Sequence, residues 1–248
     1  MIKKKYADRF VGITPKKDKE LTNRHWKVLE LFSEYRFNRI LDIGCGDGNF
    51  SIFLKKSCKA EEVFGIDISK KGVDFARLNG VNAFQLDIDE KNFPFENNYF
   101  NAIFAGEVIE HLYDPDKMLE ECYRVLHPDG IFVLTTRNLA SLYNRVTLLL
   151  GYQPFPTSVS LRHNVGRPFE VNDEILGGHI RVFTYRAIRE LLNLSKFEII
   201  KVWGTSSILP NKNSFFVSII GLIDLLLSKF PSLSQGLIIK CRKIVLKN

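Results

Sequence analysis

At 248 residues, with 45% hydrophobic and 25% charged residues, the chain has an ordinary globular composition and enough length for one α/β domain with a large core. Its net charge of +7 is a mild bias that suits acidic substrates, an anionic membrane surface or RNA without selecting among them. Cys45, Cys58, Cys122 and Cys241 are far apart and form no C-x-x-C pair, which excludes a metal or disulfide framework and reads as a reduced, cytoplasmic protein. Much of the charge lies at the ends, in Lys3, Lys4 and Lys5 and in Lys240, Arg242, Lys243 and Lys247, where solvated basic termini are the simplest account. No apolar signal core follows the opening lysines.

Residues 1 to about 20 are polar and basic. Leu21 to Tyr35 then reads as a helix, with Trp26, Leu29 and Phe32 spaced for plain core packing. Arg39 to Ile43 predicts a first strand and Asn49 to Lys56 a helix. Glu62 to Asp67 is a second strand, Lys70 to Asn79 a helix, and Asn82 to Leu86 a third strand. Phe100 to Ala105 is the fourth. Asp114-Pro115 opens a helix as cap and first helical residue, with Met118, Leu119, Cys122, Val125 and Leu126 on its buried face. His127 to Gly130 is a turn, and Ile131 to Thr135 a fifth strand. This alternation implies a doubly wound, parallel sheet, in which ligands bind outside the carboxyl ends of the strands. Asp42, Asp67 and Asp87 all stand at or near those ends.

Between the first strand and its helix lies Asp42-Ile43-Gly44-Cys45-Gly46-Asp47-Gly48. Its glycines let a ligand lie against the backbone, and the helix N-terminus offers unpaired N–H groups. The dinucleotide fingerprint G-x-G-x-x-G does not fit, because Asn49 holds its third position and Gly48 comes early. Asp42 also disfavours a phosphate ligand and suits a cationic ammonium. The order acid-x-Gly-x-Gly-x-Gly resembles motif I of class I S-adenosylmethionine-dependent methyltransferases. Downstream, Gly106-Glu107-Val108-Ile109-Glu110-His111-Leu112, the Asp-Pro helix and Leu126-His127-Pro128-Asp129-Gly130 resemble the small-molecule branch of that class, of the ubiquinone type. The resemblance is specific from about residue 39 to 136 and loose elsewhere.

The resemblance implies a seven-stranded, mostly parallel Rossmann-like sheet with an antiparallel last strand (Leu237 to Cys241, beside a sixth at Phe197 to Trp203) and a helical or loop cap. It implies S-adenosyl-L-methionine as cofactor and no metal. Asp42, Gly44, Cys45, Gly46 and Gly48 would form the methionine-side wall. Asp67 would accept from the ribose hydroxyls, with Ile68 beside it. If Asp67 is instead a helix cap, Ser69 can take that job. Asp87 would accept from the adenine amino group with Ile88 as apolar wall, and Gly106 and Glu107 would line the methionine end.

The whole chain reads as one domain, with residues 1–35 a basic segment and helix, and 138–182 a substrate cap after the fifth strand. Leu139, Leu142, Tyr143, Val146, Leu149 and Leu150 predict a helix with a wide apolar face. Gly151 to Gly178 holds Tyr152, Phe155, Phe169, Arg162, His163 and Arg167, and a connection of this length is usually functional or disordered. The run Gly178-His179-Ile180-Arg181-Val182-Phe183-Thr184 precedes a helix that Thr184 caps. His179 is the preferred base, with His111 the second candidate. Arg181 reads as paired to a surface acid, or as an anchor for an anionic substrate. Residues 213–230 are apolar but for Asp224 and shorter than a membrane span. They read as a helix packed on the sheet edge or cap, with a lipid-facing surface as the alternative.

The expected activity is methyl transfer to O, N or C of a small acceptor, lipophilic or sugar-derived. The Asn/Asp-Pro-Pro-aromatic motif of base methyltransferases is replaced by Gly106-Glu107-Val108-Ile109, so no nucleic-acid partner is expected. An RNA or protein methyltransferase, or a scaffold that binds the cofactor without turnover, is the alternative.

Overall fold

In the computed structural model, the described residues are 21–160, 163–167, 178–206 and 222–245. Seven strands form one sheet in the order β3-β2-β1-β4-β5-β7-β6. They are β1 (Arg39–Ile43), β2 (Glu62–Asp67), β3 (Asn82–Gln85), β4 (Phe100–Gly106), β5 (Leu126–Arg137), β6 (Phe197–Thr205) and β7 (Gly236–Lys243). The first five run parallel, and β7 is antiparallel to both β5 and β6. The reversal of strand order at β1 and β4 opens a crevice at their carboxyl ends, where doubly wound sheets bind ligands.

Helices cover both faces: α1 (Asn23–Ser33), α2 (Asn49–Ser57), α3 (Lys70–Leu78), α4 (Pro115–Val125), α5 (Leu142–Leu149) and α6 (Tyr185–Leu194). Alternate residues of each strand serve opposite layers. Leu41, Ile43 and Ile66 pack with Met118, Leu119 and Ile188, whereas Ile40 and Val63 pack with Phe32, Leu54 and Val73. The caps form where the sequence places them. Asp114, Thr184 and Ser69 accept from the backbone of Lys117, Ala187 and Gly72, so Ser69 leaves the carboxylate of Asp67 out of the capping role.

Several expectations change. Strand five starts at Leu126. Phe100 pairs with Leu126 and Ala102 with Ile131, so the expected turn at 127–130 is a bulge inside a continuing ladder. Trp26 is 50% exposed and lies outside the core, because Val28, Leu29, Leu31 and Phe32 make the buried stripe of α1. The wide apolar face of α5 points outward: Leu149 is 85% exposed, whereas Asn144 and Thr147 are buried. Leu222, Ile223, Leu225 and Leu226 are likewise exposed and Asp224 is buried, which reverses the packed-helix expectation for this part of 213–230. Among the described residues Arg181 donates to the Tyr113 carbonyl at 2.9 Å rather than to an acid. Arg167 ties its own loop together through the carbonyls of Pro154, Phe155 and Thr157. Arg162, Phe169 and residues 213–221 lie outside the described residues.

Candidate active site at the strand ends

β1 delivers Asp42 to the crevice, and the chain then turns through Gly44, Gly46 and Gly48, all at positive φ. A Cβ on Gly44 would meet Val108 Cγ2 at 2.4 Å, and one on Gly48 would meet the Ala76 backbone at 2.9 Å. The turn therefore requires glycine for conformation and for close approach. Gly48 also starts α2 from the left-handed region without a side chain of its own to cap it, and the first N–H of the helix, that of Asn49, donates to Asp47 Oδ1 at 3.1 Å.

A cavity of about 140 Å³ lies over this turn. Asp42, Gly44, Cys45 and Gly106 form its floor and wall. Arg24, His25 and Val28 of α1 cover it, and Thr135 closes the side. Thr135 Oγ1 is buried with no hydrogen-bond partner among the described residues, so a polar ligand group would find a waiting hydroxyl there. Sequence reasoning missed Arg24, His25 and Thr135. The last stands at the carboxyl end of β5, and its strand-end position was the one available signal.

Asp42 accepts from Ser51 Oγ on α2. Burial pushes its carboxyl up to about 7, against the Ser51 hydrogen bond and with a smaller push from Asp67. Asp67 accepts from the backbone N–H of Gly46 at 2.9 Å and of Ser69 at 2.8 Å, one on each oxygen. Burial nevertheless raises it above the usual carboxylate range. A carboxylate has about four lone-pair sites, so each Asp67 oxygen keeps acceptor capacity for a ligand hydroxyl. Ile68 follows directly and its carbonyl accepts from Gln85 Nε2. Asp87 turns the chain after β3, accepting from the Asp89 N–H, while Ile88 is buried in the core with Leu86 and Phe93. Burial pushes the Cys45 thiol far up, so it is an inert small wall rather than a nucleophile.

Glu107 sits at φ 56° just after β4, clasped by Arg24 at 2.9 Å and Arg137 at 2.9 Å. Burial alone would raise its carboxyl; the two guanidiniums outweigh it and hold the group below its ordinary value. The clasp joins α1, β4 and β5 across the mouth of the crevice.

Beyond Glu107, the two histidines chosen from sequence come together, although 67 positions separate them. The rings of His111 and His179 lie 4.8 Å apart. Ile180 and Arg181 donate backbone N–H groups to the Glu110 carbonyl, which fastens this segment to the 3₁₀ turn Ile109–His111. Glu110 is buried, accepts from Thr136 Oγ1 at 2.9 Å and leaves its other oxygen without a partner among the described residues. Burial and then repulsion from Glu107 push its carboxyl up to about 8. His179 Nδ1 faces the Pro156 carbonyl at 2.8 Å. A carbonyl only accepts, so Nδ1 carries the proton and Nε2 the lone pair. Burial lowers the pKa of the ring, against that hydrogen bond, and keeps it neutral. Ligand atoms of Glu110, His111 and His179 fall within 4.8 Å of one another, so this is also where the described residues could gather around a cation. His163 donates its backbone N–H to Ser160 Oγ.

Residues 41–134 match the family model described as methyltransferase domain. This stretch is a methyltransferase domain. A ubiquinone biosynthesis O-methyltransferase of Bordetella avium is 26% identical over 117 residues, 45% of this chain and 47% of that protein. A fatty-acid O-methyltransferase of Mycolicibacterium smegmatis is 33% identical over 102 residues, 39% of this chain and 36% of that one. The chain thus spans under half the length of these curated relatives. The structure of an S-adenosylmethionine-dependent methyltransferase from Archaeoglobus fulgidus superposes with a TM-score of 0.58 at 19% identity, covering 89% of this chain and 91% of that one. The seven-stranded sheet with its antiparallel β7 is the fold of this class, and family and fold together imply S-adenosyl-L-methionine as cofactor.

The residues at these strand ends fit that cofactor. Asp42 suits an ammonium, the Thr135 hydroxyl a carboxylate oxygen, and Asp67 a pair of hydroxyls, while the glycine cradle has no room for a Cβ. The two carboxylates at the turn, Asp42 and Asp67, would repel a pyrophosphate.

Proposed function

We propose that this chain is a class I methyltransferase that methylates a hydroxyl of a small, lipophilic acceptor. The observation that carries this reading is the meeting of His111 and His179 beside Glu110, at the cap side of the cofactor crevice. S-adenosyl-L-methionine supplies a methyl already activated on a sulfonium, so the protein has to align the acceptor, exclude water and accept one proton. His179 suits the last of these roles, being neutral and half-buried with Nε2 clear of the Pro156 contact. His179 Nε2 would take the hydroxyl proton of the acceptor, while the bound cofactor would supply the methyl and keep the electron pair of the broken sulfur–carbon bond on its sulfur. His111 and Glu110 face that ring, and protonated Glu110 adds no charge to hold the proton in place. Asp42 and Asp67 bind and orient the other half of the pair, and α1 shuts water from the crevice through Arg24 and His25.

The relatives named above are, by their names, O-methyltransferases of ubiquinone biosynthesis and of fatty acids, and this supports a lipophilic acceptor without choosing one. The test is transfer of labelled methyl into a cell extract partitioned into lipid, small-molecule, RNA and protein fractions. Label in the lipid or small-molecule fraction, lost with His179→Gln, supports the reading. Label confined to RNA or protein overturns it.

A further inference from the structure

Two helical segments are built inside out for an aqueous protein. In α5, Ser141, Asn144 and Thr147 point inward, where Asn144 Nδ2 donates to the Asn138 carbonyl at 3.1 Å and Oδ1 accepts from the Phe155 N–H at 3.1 Å. Val146, Leu149 and Leu150 face outward, Leu150 at 67% exposure. The second segment, in residues 222–230, repeats the arrangement. Asp224 is buried and accepts from Gln235 Nε2 at 3.1 Å, while Leu226 and Phe230 stand 58% and 59% exposed.

The segments lie side by side. The Leu142 N–H donates to the Leu233 carbonyl at 3.0 Å, Arg145 reaches the Ser232 carbonyl at 3.3 Å, and Asn138 Nδ2 binds the Ser234 carbonyl at 2.9 Å. Residues 231–234 follow the second helix directly, so these bonds hold the two leucine-bearing segments next to one another. Faces of this kind are uncommon on water-facing surfaces and mark interaction sites.

Charge identifies the partner. From Arg137 to Arg167 the chain has no acidic residue, and after Glu198 its one acid is Asp224, which is buried. Arg145 and Lys229 flank the apolar rows along the chain. Apolar side chains on one face, bordered by cations with carboxylates removed, are the pattern of an element lying in the interface of an anionic bilayer. No helix among the described residues is long and apolar enough to cross a membrane.

We propose that α5 and residues 222–230 form a peripheral docking face for an anionic lipid bilayer. The face is independent of the methyl-transfer reading, since it involves none of the crevice residues. Its geometry also suits a membrane-dissolved acceptor: Asn144 holds Phe155, and the neighbouring Pro156 carbonyl holds His179.

The experiment is co-sedimentation of the full chain with phosphatidylcholine vesicles, with and without phosphatidylglycerol, at low and high salt. Partitioning should be about tenfold stronger with the anionic lipid and weaken with salt. The double variant Leu149→Glu, Leu226→Glu places charge on exposed positions and should lower partitioning about tenfold or more. Unchanged S-adenosylhomocysteine binding by that variant would confirm that it is folded. Two results overturn the proposal: wild-type protein left in the supernatant with both vesicle types, or a wild-type dimer by light scattering that the double variant dissociates.

Discussion

Asp42 should make cofactor binding proton-linked. In the free protein its carboxyl titrates near 7 rather than at the ordinary 3.8, because burial outweighs the Ser51 hydrogen bond. A bound ammonium at that site needs the ionised form, so binding below pH 7 expels a proton, and each unit of acidification should weaken affinity about tenfold. For the free protein the sign runs the other way. With the folded pKa raised, the contribution of this group to stability is complete below 3.8, falls as pH rises and is gone above about 7. The full change is about 4 kcal/mol at most. The assay is calorimetric titration with S-adenosylhomocysteine, which keeps the amino group, across pH and in buffers of different ionisation enthalpy. Wild-type affinity should climb to about pH 7 and level off, with close to one proton released at pH 6. Asp42→Asn keeps the volume and the Ser51 partner. It should bind about 30-fold more weakly above pH 7, from a charged hydrogen bond of about 2 kcal/mol, and lose that pH slope. Asp67 is raised as well and stays in the variant, so the difference between the two proteins isolates Asp42. Equal slopes, or no proton release by the wild type, would refute the argument.

Three further substitutions probe the site. Asp67→Ala removes the acceptor of the Gly46 and Ser69 N–H groups together with the ribose contact. S-adenosylhomocysteine affinity should fall at least about tenfold, and chemical denaturation should show a loss of about 1–3 kcal/mol. Unchanged affinity would rule out the ribose role. Gly48→Ala drives a Cβ into the Ala76 backbone at a φ of 77°, and should cost about 1–3 kcal/mol in a urea titration, whereas the open Gly80→Ala should cost only its backbone strain. His179→Gln should lower kcat about a hundredfold or more with cofactor affinity unchanged, and remove the rising acid limb of the pH–rate profile, which lies below the ordinary imidazole value. A kcat within a few-fold of wild type would leave His179 a structural residue.

The amino-acid order alone determined the sheet from β1 to β5 and the glycine turn at the end of β1. Each of these is local: a strand, its acid and the following turn are contiguous, so periodicity and residue type suffice. Asp42, Gly44, Cys45 and Gly106 line one cavity at the strand ends. The bulge at 127–130 could not be read, because a Pro-Asp-Gly run looks the same whether the ladder ends there or continues. Only tertiary structure brought His111 to His179, set Arg24 and Arg137 on Glu107 and raised Glu110, since these depend on loops closing over long separations and on the burial that follows. It also decided which way the amphipathic helices face. A helical repeat specifies that two faces differ, and the partner of each polar residue — Phe155 and Asn138 for Asn144, Gln235 for Asp224 — turns the leucines outward.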